Sequence, residues 1–282
     1  MWFASPDEVR ERLTAVDYLA DDGISTSVFL AGALGKPLLT EGPAGVGKTQ
    51  LAKAVAEATG ARLIRLQCYE GLDEARALYE WNYKKQLLRI QADDDAWDDI
   101  FSEEFLLERP LLKAIRSEEP TVLLIDETDK ADVEVEGLLL EILSDYQITI
   151  PELGTISAAR KPYVVLTSNA TRELSEALKR RCLYLHLDYP TPERERDIVL
   201  AQVPGLPGSI AEQLARTVAT LRGLELKKSP SIAETIDWAH TLLALGRTEL
   251  DEAAIGKTLG VVLKHNSDQV RAAKELGLPA RS

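Results

Sequence analysis

Apolar positions along this chain of 282 residues follow two regimes. Up to about residue 190, short apolar runs alternate with stretches in which apolar residues recur every three or four positions. Beyond it, only the helical spacing persists. The short runs predict strands at "KPLLTE", Ala61–Cys68, "TVLLID" within Thr121–Lys130, Tyr163–Ser168 and Cys182–Pro190. The run beginning at Thr121 is apolar without alternation, the pattern of a strand covered on both faces. Helices are predicted over Pro6–Tyr18, with Ser5 as cap and Pro6 in the first turn, over Ser25–Gly35, and from Lys48 to a glycine stop at Gly60. Further helices are predicted over Leu72–Gln91, over "EEFLLERPLLKAIRSEE" with a break at Pro110, and over "ADVEVEGLLLEILSD". Gln147–Ile150 and Thr155–Ser157 read as a hairpin around Pro151 and Gly154. Strands alternating with helices imply an α/β fold, a parallel sheet covered by helices. Four helix-like segments after Pro190 imply a second, all-helical domain, giving residues 1–190 and 191–282 as the two parts.

Composition narrows the function classes. Hydrophobic residues make up 45% and charged residues 28%, as in ordinary globular proteins. The net charge of −13 argues against a nucleic-acid binder, which needs a basic surface. Lys84, Lys85 and Arg89 form one basic helix face, read as solvated or ring-lining. Cys68 and Cys182 are far apart and form no metal spacing; they read as reduced, buried thiols. The start "MWFASPDEVRERL" lacks a signal-peptide core and no apolar run is long enough to span a bilayer, so the expected compartment is the cytoplasm. The acidic run "ADDDAWDD" reads as a solvated loop, and the aromatic cluster Tyr79, Trp81 and Tyr83 as packing.

One segment changes the picture. "GPAGVGKT", Gly42–Thr49, fits G-x-x-x-x-G-K-[ST] and lies between a predicted strand and a predicted helix. Glycines let backbone N–H groups turn toward a polyphosphate, the lysine reaches the outer phosphates, and the threonine hydroxyl can sit on Mg²⁺. The expected nucleotide contacts are Gly42, Pro43, Ala44, Gly45, Val46, Gly47, Lys48, Thr49 and Gln50. Asp126 and Glu127 end a buried strand, and in a parallel sheet the C-terminal strand ends line one crevice. Asp126 is expected to hold Mg²⁺ together with Thr49, and Glu127 to polarise the attacking water; the alternative is a pair of helix-capping acids. Asn169, at the end of "YVVLTSN", is expected to bond the water and the terminal phosphate, against the alternative of a turn residue. Arg180 and Arg181 precede the last predicted strand. Either suits an arginine finger, which stabilises charge spread over the phosphate in transfer, or a solvated helix end.

Taken together, "GPAGVGKT", "VLLIDETD", "VVLTSN" and "SEALKRRC" resemble, in order and spacing, the AAA+ ATPases. The hairpin before "VVLTSN" and the helical tail resemble the MoxR family. "LIRLQCYEGLDEARALYEWNYKKQLL" and "SPSIAETIDWA" are most similar to the MoxR-type ATPases associated with molybdenum hydroxylases such as carbon monoxide dehydrogenase. The resemblance implies an AAA+ P-loop NTPase with a helical lid, a homo-oligomeric ring, commonly a hexamer, and ATP between subunits. It implies Arg181 as the finger with Arg180 as alternate, and Tyr18–Ile24 against adenine. It also implies chaperone-like maturation of a metalloenzyme client, often with a von Willebrand factor A domain protein. Many relatives carry a lid arginine after a Ser-Pro pair; here Ser229-Pro230 is followed by Ser231, leaving Lys227 or Lys228 as substitutes. Competing readings are a nucleic-acid motor or loader, and a nucleotide-gated binding module with little turnover. Glu127 speaks against the module, because binding alone needs no water-activating carboxylate.

Overall fold

The structure is a computed structural model and describes residues 2–92 and 100–278. The acidic run at 93–99 lies outside the described residues. The chain forms two compact units, one of Met1–Gly42 and Lys48–His186, the other of Pro43–Gly47 and Leu187–Ser282.

The first unit is built on strands β1 (Leu38–Glu41), β2 (Arg62–Gln67), β3 (Tyr79–Trp81), β4 (Leu106–Glu108), β5 (Thr121–Asp126), β6 (Gln147–Ile150), β7 (Gly154–Ser157), β8 (Tyr163–Ser168) and β9 (Leu183–His186). Five of them form a parallel sheet in the order β2-β5-β8-β1-β9. Every residue of β5 and β8 is buried, as their unbroken apolar runs require. The register sets Gln67 beside Asp126 and Ser168 beside Glu41. The C-terminal ends of four strands therefore meet at one edge. Helices α1 (Pro6–Thr14), α2 (Asp22–Leu34), α3 (Lys48–Thr59), α4 (Glu74–Ala77), α5 (Tyr83–Ala92), α6 (Pro110–Ile115), α7 (Val133–Asp145) and α8 (Glu176–Arg181) complete the unit. Ser5 caps α1 by accepting from the Glu8 N–H, and α2 ends on Gly35 at φ 60°. The parallel sheet flanked by helices is the α/β fold that the hydrophobic pattern implied.

Two expectations fail between residues 72 and 115. Leu72–Gln91 is not one helix, because β3 interrupts it and pairs antiparallel with β4, Trp81 opposite Leu106. Trp81 packs edge-on against Tyr79 and Phe101, with ring centroids 6.1 and 5.4 Å away. Alternating aromatics and a partner strand 25 residues downstream outweigh local helix propensity there. Tyr79 and Trp81 thus pack as expected, while Tyr83 is exposed. Pro110 does not break a helix; it begins α6, where its missing N–H costs no intrahelical bond.

The second unit contains α9 (Pro192–Gln202), α10 (Gly208–Arg222), α11 (Ile232–Ala244), α12 (Glu252–Val262) and α13 (Asn266–Glu275). The last of these is one helix more than the sequence pattern suggested. Trp238 is fully buried in this unit's core and donates its ring N–H to Thr258 Oγ1 at 2.6 Å. Glu195, with no exposed surface, takes both guanidinium nitrogens of Arg222, at 2.5 and 2.8 Å, and the Thr235 hydroxyl at 2.7 Å. Three donors satisfy a carboxylate that would otherwise be costly to bury.

Candidate functional site

The glycine loop connects the end of β1 to the start of α3, the strand–loop–helix context that a phosphate loop needs. Gly42, Gly45 and Gly47 have φ of 153°, 76° and 100°. For the latter two, and for Gly42 near the limit of that region, a side chain is disfavoured. The Gly42 N–H donates to the Ser168 carbonyl at 3.3 Å, fixing the loop's origin to β8. Lys48 is buried and donates from Nζ to the Gly42 carbonyl and to Asn169 Oδ1, both at 2.8 Å. Burial pulls the Lys48 ammonium below its ordinary pKa, and Asp129, Asp126, Glu127 and Glu41 counteract that pull. An anionic ligand at this ammonium would favour the charged form further.

Asp126 closes β5 and is buried. Its Oδ1 accepts from Thr49 Oγ1 at 2.9 Å and from Thr167 Oγ1 at 2.5 Å, and its Oδ2 pairs with Arg65 at 2.6 Å. A hydroxyl and a carboxylate oxygen side by side are hard donors of the kind Mg²⁺ takes. Mg²⁺ is commonly held by one or two protein oxygens plus phosphates, so the residues present fit it. No group of three or more His, Cys, Asp or Glu suited to a metal exists among the described residues.

Glu127 has a left-handed backbone, φ 56°, and its N–H donates to Thr167 Oγ1 at 2.9 Å. Its Oε2 receives Gln67 Nε2 at 3.0 Å and Lys130 Nζ at 2.5 Å. Thr167 therefore ties the two acids together, accepting from one residue and donating to the other. Asp129 does the same for the end of β8. It accepts from the N–H groups of Asn169 and Thr171, at 3.2 and 3.1 Å, and from Thr171 Oγ1 at 2.5 Å. Burial opposes ionisation of Asp129, yet these hydrogen bonds hold its carboxyl below the usual range.

Lys48, Thr49, Asp126, Glu127 and Asn169 thus converge at one sheet edge. Arg180 and Arg181 do not join them within the chain. Both are exposed in the last turn of α8, before rather than within β9. Arg181 donates from Nε to Ser144 Oγ at 2.5 Å and from Nη1 to the Ala177 carbonyl at 3.1 Å. In the helical unit, the Gly45 carbonyl accepts the Ile232 N–H at 3.2 Å, and a Cβ on Gly45 would lie 2.2 Å from Ser231 Cβ. Lys228 pairs with Glu234 at 3.0 Å, inside the capping box that starts α11. Of the thiols, Cys68 is buried but Cys182 only partly so; burial pushes both up to about 12.

Sequence reading missed Arg65, Gln67, Thr167 and Asp129. Arg65 and Gln67 left a trace, polar residues near the end of a strand adjacent to the one ending in two acids.

A sequence profile described as AAA domain (dynein-related subfamily) matches residues 37–182, which include the loop, both acids, Asn169 and both arginines. The chain belongs to this family. It is accordingly a nucleotide-binding, ATP-hydrolysing enzyme. Among curated proteins, NorQ of Paracoccus denitrificans is 27% identical over 75% of this chain and 75% of its own. An uncharacterized protein of Staphylococcus haemolyticus is 28% identical over 80% of this chain and 82% of its own. Among solved structures, a mutant of RuvB from Thermotoga maritima superposes with a TM-score of 0.52 at 18% identity, covering 98% of this chain and 84% of that one. That likeness concerns the fold alone. Among the described residues, no helix is long and apolar enough to cross a membrane.

Proposed function

We propose that this AAA protein is a Mg²⁺-dependent ATPase of the MoxR type that remodels or matures a metalloenzyme client. The observation that carries the reading is the convergence of Lys48 on Gly42 and Asn169, beside Thr49 on Asp126. The loop from Gly42 to Gln50 holds the phosphates, with Lys48 on the outer ones. Thr49 and Asp126 hold Mg²⁺, which when bound offsets charge on the phosphates. Glu127 takes the proton of the attacking water, and Asn169 orients that water against the terminal phosphate. Arg181, or Arg180 beside it, reaches the site of a neighbouring subunit in a homo-oligomeric ring, a hexamer by resemblance. The MoxR assignment rests on the sequence resemblance and on the likeness to NorQ. A molybdenum hydroxylase as client and a von Willebrand factor A domain protein as partner follow from the same resemblance, as does work in the cytoplasm. The net charge of −13 disfavours a nucleic-acid motor.

Lys48→Ala tests the loop. It removes the ammonium aimed at the outer phosphates, and ATP binding is expected to fall below detection in folded protein. Normal affinity in this variant would sink the assignment. Turnover of the wild type is expected to vanish with EDTA and return with Mg²⁺. Capture of partners from the native host by Glu127→Gln, in the presence of ATP, tests the client.

A further inference from the structure

At the N-terminal ends of β8 and β1, the end of the sheet away from Asp126 and Asn169, lies a cavity of about 400 Å³. Its lining includes Trp2, Gly32, Lys36, Arg160, Lys161 and Tyr163 and contains no carboxylate. The volume is within the range of ligand-holding clefts. At about 3.3 Å per residue, the six steps from Tyr163 put it roughly 20 Å from Asn169.

The floor is constructed. Trp2 packs edge-on against Tyr163 with ring centroids 5.5 Å apart, and the Tyr163 hydroxyl donates to the Val28 carbonyl at 2.8 Å. A Cβ on Gly32 would come within 3.1 Å of Trp2 Cβ, so glycine permits this close packing. The rim is cationic. Arg160 stands over the Trp2 ring at 6.0 Å and Lys161 over the Tyr146 ring at 5.1 Å. Neither these two nor Lys36 forms an ion pair with a carboxylate among the described residues, in a chain of net charge −13. The end of α2 accounts for part of this charge. Its macrodipole is equivalent to about half a negative unit, against three cations.

The same helix end offers acceptors. The bonds that close α2, from the N–H groups of Gly35 and Lys36, both go to the Ala31 carbonyl. The carbonyls of Ala33 and Leu34, residues of the lining, lie past the last rung of the helix ladder and are available to a ligand that can donate. Leu34 itself is 58% exposed and adds an apolar wall. A ligand for this cavity needs negative charge, N–H donors and an apolar group together. Free phosphate has only the first of these.

We propose that this cavity is a docking site for an acidic peptide segment of a partner protein. Carboxylates of the segment meet Lys36, Arg160 and Lys161, its backbone N–H groups meet the α2 carbonyls, and an apolar side chain lies on Trp2. The site is independent of the ATP-binding edge and of the reading given to it.

The test uses the full chain and a fluorescein-labelled probe peptide, Asp-Glu-Leu-Asp-Glu-Leu, in anisotropy titrations at moderate salt. Saturable binding is expected, weakened at least tenfold in the triple variant Lys36→Glu, Arg160→Glu, Lys161→Glu. It is expected to be unaffected by Lys257→Glu on α12, and weakened by Trp2→Ala. ATP binding should survive in all four proteins, which shows them folded. Equal binding to the triple variant would overturn the proposal. So would displacement of the probe by inorganic phosphate at probe concentration, or tighter binding of a single-stranded oligonucleotide than of the peptide. A changed sedimentation coefficient in the triple variant would also overturn it, since the face would then join copies of this chain.

Discussion

At the scale of single residues, the candidate site depends on side chains with two or three partners each, so small changes separate their roles. Glu127 is positioned by Gln67, Lys130 and the Thr167 bond to its own N–H. Glu127→Gln keeps the shape and removes the proposed base. ATP binding is expected to persist while hydrolysis falls by roughly 10²–10⁴, the usual contribution of a general base. Turnover at the wild-type rate would assign the water to another residue. Gly45 is a steric case. At φ 76° an alanine is strained, by about 1–2 kcal/mol, and its Cβ would overlap Ser231, costing about 1–3 kcal/mol more. Gly45→Ala is therefore expected to lower both stability against urea and affinity for ATP. Adding Ser231→Gly should recover the overlap and leave the backbone strain. A double variant no more stable than Gly45→Ala would show that Ser231 is not the obstacle.

At the scale of elements, the site is held where strand ends and turns exchange hydrogen bonds. Asp129, in the turn after β5, accepts two N–H groups and a hydroxyl from the segment that follows β8. Its carboxyl lies below the ordinary range in the folded chain. A group depressed on folding stabilises the fold above its unfolded pKa, about 3.9 for Asp, and loses that contribution as pH falls through the folded value. Asp129→Asn puts an NH₂ against donors and is expected to cost about 1–3 kcal/mol at neutral pH. Denaturant melts from pH 7 to pH 2 should show the gap between variant and wild type closing on the acid side; a constant gap would exclude ionised Asp129 as the source. The elements themselves were unequally legible. β8 was readable to the residue because an unbroken apolar run leaves one assignment for a short central strand. The convergence of Lys48 and Thr49 with Asp126 and Asn169 could be anticipated because the phosphate-loop pattern fixes residue types and spacing between a strand and a helix. Arg65 and Gln67 were hidden because they meet their partners, Asp126 and Glu127, 61 and 60 residues along the chain. The segment containing β3 and β4 was misread for the same reason. Its pairing is long-range, and local propensity carries no record of it.

At the scale of the whole molecule, the chain's own geometry brings Lys48, Thr49, the two acids and Asn169 together but leaves out the two arginines. Arg181 ends α8 as an exposed residue, and its hydrogen bonds are to the neutral oxygens of Ser144 and Ala177. Among the described residues it forms no ion pair with a carboxylate, so its charge is not committed elsewhere in the fold. A finger that acts on a neighbour contributes nothing to its own site and about 10³–10⁵ in rate to the next one. Arg181→Ala is then expected to bind ATP as the wild type does and to lose hydrolysis. Specific activity of the wild type should rise with protein concentration, because complete sites form only on assembly. Lys48→Ala and Arg181→Ala fail for opposite reasons: the first lacks a phosphate loop and keeps a finger, the second the reverse. Mixed in equal amounts, they should recover part of the activity, since some neighbours pair an intact loop with an intact finger. Arg180→Ala in the same mixture decides between the two arginines, the true finger being the one whose loss Lys48→Ala can complement. Full specific activity of a monomer at high dilution would exclude a shared site, and mixed assemblies without recovery would exclude both arginines from it.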